Sequence, residues 1–135
     1  MEIQRAEGCV RVRPTEATAT RQKLPYYVGI SSQTTGARGL SLSLVVVPPG
    51  GRAEPHLHRD YETAIYVLEG RVRTLFGPGL KQVVDTEPGD FLFIGPNVPH
   101  QAINLSDTEP AVAVIARNDP NEQENVIPYD PSCET

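Results

Sequence analysis

The strongest constraint on this chain is its punctuation. Pro48-Pro49-Gly50-Gly51, Glu69-Gly70, Gly77-Pro78-Gly79, Pro88-Gly89 and Gly95-Pro96-Asn97 cut it into short pieces. Proline fixes φ and lacks a backbone donor, and glycine enters positive φ without strain, so each cluster ends a regular element. The pieces between are too short and too β-branched for helices. Residues 40–47 (LSLSLVVV) begin as strict alternation and end as a β-branched run, and 63–68, 71–76, 80–84, 90–94, 100–104 and 111–117 read as further strands. Residues 9–13 and 26–30 add two short candidates, 14–25 reads as a polar loop, and no segment reads as a strong amphipathic helix. Strands recurring every 8–12 residues between turns indicate an all-β sandwich or small barrel.

Composition narrows the function classes. The 135 residues suit one domain, and we expect a single domain over 1–135 with its core at about 40–117. The segments 1–39 and 118–135 would then pack on the barrel or on a partner subunit. Lys and Arg number 12 against 17 Asp and Glu, with no basic run, which argues against a nucleic-acid partner. No apolar stretch approaches the roughly 20 residues of a membrane helix, and the polar start of the chain has no signal-like apolar core. Cys9 and Cys133 form neither a zinc-knuckle spacing nor a C-x-x-C pair, so we expect reduced thiols and a cytoplasmic location. Neither a P-loop, a G-x-G-x-x-G nor a G-x-S-x-G is found, and no serine is tied by motif to a histidine.

The three histidines carry the chemical signal. His56 and His58 flank one residue, and on an extended segment side chains two apart share a face, about 7 Å apart by the ~3.3 Å rise. Glu62 keeps the same parity if the chain stays extended, and His100 comes from a distant strand. Imidazoles and a carboxylate suit a first-row divalent metal, whereas a lone histidine is more often an ordinary core or surface residue.

The run Gly50-x5-His56-x-His58-x3-Glu62, followed by Ile65-Tyr66-Val67-Leu68-Glu69-Gly70, resembles the first motif of the cupin family. Pro88-Gly89-Asp90-Phe91-Leu92-Phe93-Ile94 through Val98-Pro99-His100-x3-Asn104 resembles its second. The resemblance implies a double-stranded β-helix, a jelly-roll barrel holding one divalent ion (Fe, Mn, Ni or Zn) with His56, His58, Glu62 and His100 as ligands. It also implies a small-molecule ligand in the barrel and either a metal-dependent enzyme of dioxygenase, isomerase or decarboxylase type, or a non-catalytic binding or sensor module. A homodimer is expected, with Val126, Ile127 and Tyr129 as a candidate clasp.

The chain departs from the family pattern in three places. The motif carboxylate usually stands seven positions before the closing glycine, which here is Thr63. Parity from His58 selects Glu62, register from Gly70 selects Thr63, and a bulge between Glu62 and Ile65 would reconcile them. We place Glu62 at the metal, as a ligand or through a water. Gly95 and Asn97 replace the usual Pro and Gly, and Asn97 is expected to keep positive φ. Asp60 and Tyr61 could orient an imidazole but fit a solvent-facing loop better. Tyr66 shares the parity of Glu62 and would line the cavity. Asn104 is expected to stabilise a turn, Gln101 to be structural, and Arg71 and Arg73 to form a solvated face unless one reaches an anionic ligand.

Overall fold

A computed structural model describes residues 1–121 and 123–133. Among these residues the chain is almost entirely β, as the turn spacing implies. It opens with a hairpin, β1 (Glu2–Ala6) and β2 (Cys9–Arg13). Eleven further strands form two antiparallel sheets, and in chain order they are β3 (Thr18–Ala19), β4 (Pro25–Ile30), β5 (Ser41–Val47), β6 (His56–His58), β7 (Thr63–Glu69), β8 (Val72–Phe76), β9 (Gln82–Thr86), β10 (Phe91–Ile94), β11 (His100–Asn104), β12 (Ala111–Arg117) and β13 (Val126–Pro128). One sheet runs β10-β7-β12-β5-β4-β3 and the other β13-β6-β11-β8-β9. The two sheets face each other as a double-stranded β-helix. No helix among the described residues is long and apolar enough to cross a membrane.

Alternation explains the core. β12 (AVAVIAR) pairs with β5 on one side and β7 on the other, and its odd-numbered side chains are buried. Ala111, Ala113 and Ile115 meet Val45, Val47, Tyr26, Val28 and Leu24 inside the barrel. Burying such apolar side chains contributes about 1.5–3 kcal/mol each for the larger ones. The turn after β7 must pass very close to β12: a Cβ on Gly70, at φ +80°, would stand 2.8 Å from the Cα of Ala111. Only glycine permits both that approach and that φ.

Asparagines hold two further turns. Asn97 has φ 64°, as expected of a glycine substitute. It does more than tolerate the turn, because its Oδ1 accepts from the Asp60 amide at 3.0 Å and its own amide donates to the His58 carbonyl at 3.1 Å. The two histidine-bearing loops are thereby tied together. Asn104 is buried and donates from Nδ2 to the carbonyls of Val47, Pro48 and Glu109, while its Oδ1 accepts from the Ser106 amide at 2.9 Å. That is the turn-stabilising role expected of it.

Several elements differ from the sequence reading. β1 (EIQRA) has no apolar alternation and forms a strand only by pairing with β2. A one-turn helix, α1 (Ser32–Thr35), is built by a capping box between Ser31 and Thr34 and ends at Gly36 with φ 76°. Pro78–Leu80 is a 3-10 turn, which moves the following strand to β9. The expected loop at 14–25 contains β3, stabilised where Thr20 Oγ1 donates to the Leu24 carbonyl at 2.6 Å. In the tail, β13 pairs with β6, with Val126 opposite His58 and Pro128 opposite His56. The Tyr129 hydroxyl accepts from the Gly79 amide at 2.8 Å, so Val126, Ile127 and Tyr129 clasp their own barrel. Cys9 and Cys133 are exposed and not bridged to each other.

Candidate metal centre

The three histidines meet inside the barrel. β6 is paired on both edges, with β11 on one and β13 on the other, and His100 lies directly opposite His56. Two-residue periodicity sends His56 and His58 inward while Leu57 is only half-buried. All three imidazoles are buried, with ring centroids 4.3 to 5.4 Å apart. One ring nitrogen from each lies within 4.8 Å of the other two.

Backbone carbonyls set the tautomers. His56 Nδ1 contacts the Glu54 carbonyl at 2.6 Å, His58 Nδ1 the Glu124 carbonyl at 2.6 Å, and His100 Nδ1 the Val98 carbonyl at 2.9 Å. A carbonyl only accepts, so each Nδ1 carries the proton and each Nε2 keeps its lone pair. Such outer hydrogen bonds orient imidazole ligands and raise their basicity. His58 Nε2 is buried without a hydrogen-bond partner. An orphaned acceptor of this kind costs about 1–3 kcal/mol, which a bound cation relieves. Burial pushes His56 down to about 4 and His100 down to about 3, and it lowers His58 further, with the Arg117 cation adding to the effect in all three. All three are neutral at neutral pH, the form that binds metal. The donor set therefore fits a divalent first-row ion.

Glu62 is not part of this cluster. It is exposed, and its backbone amide donates to Asn118 Oδ1 at 2.8 Å. The pairing of β7 with β10 is continuous from Thr63 to Tyr66, and the one register shift against β12 lies at Val112/Ala113. Without a bulge between Glu62 and Ile65, the inward position falls to Thr63, which is 2% exposed. Register from the Gly70 turn governs here, and parity from His58 fails because Arg59, Asp60 and Tyr61 turn, with Asp60 at φ 64°. Tyr66 shares the parity of Glu62 and so faces outward, its ring 4.6 Å from that of Phe91. Arg73 makes a two-point contact with Asp85 at 2.9 Å on the exposed surface, and Gln101 donates to the Ala53 carbonyl.

Sequence reasoning missed the polar residues around the histidines. Arg117 ends β12 at inward parity and is almost fully buried. Its Nε donates to Thr63 Oγ1 at 2.9 Å, and its guanidinium is ion-paired with buried Glu124. Gln22 Nε2 donates to the hydroxyl of Tyr26 at 2.9 Å, and burial raises the Tyr26 pKa. The one visible signal was an arginine at an inward position in an otherwise apolar strand. A cavity of about 60 Å³ lies among His56, His100, Thr63, Arg117 and apolar side chains of both sheets. It exceeds the ~10–15 Å³ that one water requires, so it has room for a small ligand.

Residues 43–116 match the family model described as Cupin domain. The chain is similar in structure to a Lactobacillus farciminis oxalate decarboxylase in complex with formate, with TM-score 0.67, 23% identity, and 87% of this chain and 33% of that one covered. It is also similar to a Klebsiella pneumoniae protein with a double-stranded β-helix domain, with TM-score 0.66, 16% identity, and 85% and 91% covered. A third similar structure is peruvianin-I, a cysteine peptidase from Thevetia peruviana latex, with TM-score 0.69, 20% identity, and 85% and 72% covered. The chain spans about a third of the oxalate decarboxylase it matches. No curated protein matches the sequence. Likeness at these identities shows the fold alone, and function has to be argued from the site.

Proposed function

The chain belongs to the cupin family, and from that premise we propose that it is a metal-dependent enzyme acting on a small organic acid. His56, His58 and His100 hold one divalent ion through Nε2. The observation that carries the reading is the convergence of three buried, neutral imidazoles whose Nδ1 protons are all taken by backbone carbonyls.

Charge selects the ligand class. Three neutral imidazoles leave the charge of a divalent ion uncompensated in a water-poor interior, where charge is costly. The two buried acids on this side of the barrel are already engaged: Glu124 pairs with Arg117, and Asp119 acts on Arg117 and accepts from Asn125 Nδ2. Exposed Glu62 does not supply the missing negative charge. An anionic ligand with an oxygen donor therefore completes the site, and the cavity admits only a small one. When bound, the metal supplies Lewis-acid polarisation of a ligand oxygen at its open positions. The chain's own residues do the rest. The apolar walls exclude water, Thr63 and Arg117 present a polar flank, and the Nδ1 contacts fix the imidazoles.

The test uses protein purified without a histidine tag. Metal analysis is expected to give about one divalent ion per chain, and His58→Ala to lose it. Metal-loaded protein is then titrated with a panel of small mono- and dicarboxylates by calorimetry. We expect binding at least about tenfold tighter than to the metal-free protein, equivalent to 1.4 kcal/mol. Equal affinity with and without metal would refute the anion reading. Full metal content in His58→Ala would refute the site itself. Binding without turnover of any bound acid would leave a non-catalytic module in place of the enzyme.

A further inference from the structure

The link from β3 to β4 carries a polar side chain into the barrel that the metal centre does not use. Burial alternates along it, and Thr20, Gln22, Leu24, Tyr26 and Val28 are the buried positions. The turn that begins this run is fixed at several points. The Lys23 amide donates to the Thr20 carbonyl at 3.0 Å, the Leu24 amide donates to Thr20 Oγ1 at 3.2 Å, and Lys23 holds φ 70°. A lysine keeps such a φ only where its surroundings impose it. The Gln22 carbonyl accepts from the Glu54 amide at 2.7 Å, and the Glu54 carbonyl in turn accepts the Nδ1 proton of His56. Two successive backbone contacts therefore register Gln22 against the first histidine.

Gln22 is 1% exposed and lines the same cavity as His56, His100, Thr63 and Arg117. Its Nε2 donates to the Tyr26 hydroxyl at 2.9 Å, which fixes the amide and with it the direction of Oε1. Oε1 is buried and accepts from no group among the described residues. A buried amide oxygen is costly to leave unpaired. Water can serve it in the free protein, but a ligand that displaces this water must bring an equivalent donor or lose affinity.

We propose that Gln22 is a specificity-determining residue, and that the acid bound at the metal is a hydroxy acid whose hydroxyl donates to Gln22 Oε1; this role rests on the reading of the site as a metal centre for a small acid. Charge selects among the donors that a small acid carries. An ammonium would place a cation in a cavity that already holds a divalent ion and the Arg117 guanidinium. A second carboxyl would have to be protonated to donate, and the same two cations favour its ionised form. A hydroxyl is neutral, donates one proton, and is the smallest of the three, as a cavity of about 60 Å³ demands. A site built around such a hydrogen bond rejects the analogue that lacks it far more strongly than an apolar pocket rejects a missing methylene.

The test compares matched acids with and without the hydroxyl. Protein loaded with Zn²⁺ is titrated by calorimetry with glycolate against acetate, and with lactate and 3-hydroxypropionate against propionate. Wild type is expected to bind a hydroxy acid at least about tenfold tighter than its deoxy partner in one or more of these pairs. Gln22→Met keeps the length of the side chain and removes the amide. It is expected to retain its Zn²⁺ by metal analysis, to bind the deoxy acids, and to narrow the preference to within about twofold. A hydroxyl that merely chelated the metal would favour the hydroxy acid equally in both proteins. Far-UV circular dichroism checks the fold, and Gln22→Leu serves if Gln22→Met is not folded. Equal affinity within every pair in wild type, or a preference that survives in the folded variant, would overturn the role of Gln22 and leave the metal-and-acid reading standing. No binding of any acid to the Zn²⁺-loaded wild type would overturn both.

Discussion

Glu124→Gln is the most informative single change in the barrel. The Arg117 and Glu124 side chains are 2% and 4% exposed, so no bulk water screens their ion pair. Replacing the carboxylate by an amide leaves a buried guanidinium without its ion-pair partner, with the charge of buried Asp119 as its remaining compensation. It stands beside three imidazoles that the same cation already disfavours protonating. Removing one partner of a buried pair costs about 3–5 kcal/mol. The Thr63 hydrogen bond to Nε survives, and so does the Glu124 carbonyl contact with His58, because both lie outside the altered carboxylate. The loss is therefore set by charge and not by collapse of the histidine cluster. Arg117→Met alone should cost a similar amount by stranding the carboxylate. The Glu124→Gln/Arg117→Met double variant should lose clearly less than the sum of the two single changes, because no lone charge is left buried, although an unpaired amide keeps it below wild type. Urea unfolding of chelator-treated protein measures all three. A loss under about 1 kcal/mol in Glu124→Gln, or additivity in the double variant, would refute the coupling.

Other outcomes follow from the same contacts. Glu62→Gln should leave metal affinity within about twofold of wild type in a chelator competition, because even residues that merely support a ligand cost 10–100-fold. Metal-free protein should lose stability in mild acid. The folded-state histidines lie below their ordinary 6.5, so the unfolded chain takes up protons first as pH falls below 6.5, and stability declines from there toward about 4. Between pH 7.5 and 5.5 each such histidine contributes about 1.4 kcal/mol of loss, about 4 kcal/mol for the three. Urea midpoints at the two pH values check this, and a change under about 1 kcal/mol would contradict it. Asn104→Ala should cost about 3–5 kcal/mol in the same assay, since it strands carbonyls of Val47, Pro48 and Glu109 at once.

What could be read in advance depended on how local the determining physics was. β5, β7 and β12 were visible because their own alternation and branching specify a strand whatever lies beside them. β1 was invisible because EIQRA carries no such pattern and owes its conformation to its partner. The histidines were legible because two residues of separation on a strand is a statement about one face. Glu62 failed because it lies across a turn, where parity no longer propagates and the firmer register comes from Gly70 behind it. Glu124 had no readable signal, since its role arises from a tail that returns to pair with β6 far from it in sequence. The same alternation carries information on both sides of the large sheet. Its inward positions end in Arg117 and Thr63 beside the imidazoles, and its outward positions line up Phe91, Tyr66, Val114 and Leu44. A one-residue slip of β7 or β12 would put those outward apolar side chains in the cavity and the polar ones on the outer face. The site and the outer face therefore depend on one register, which the close contact of Gly70 with Ala111 holds in place.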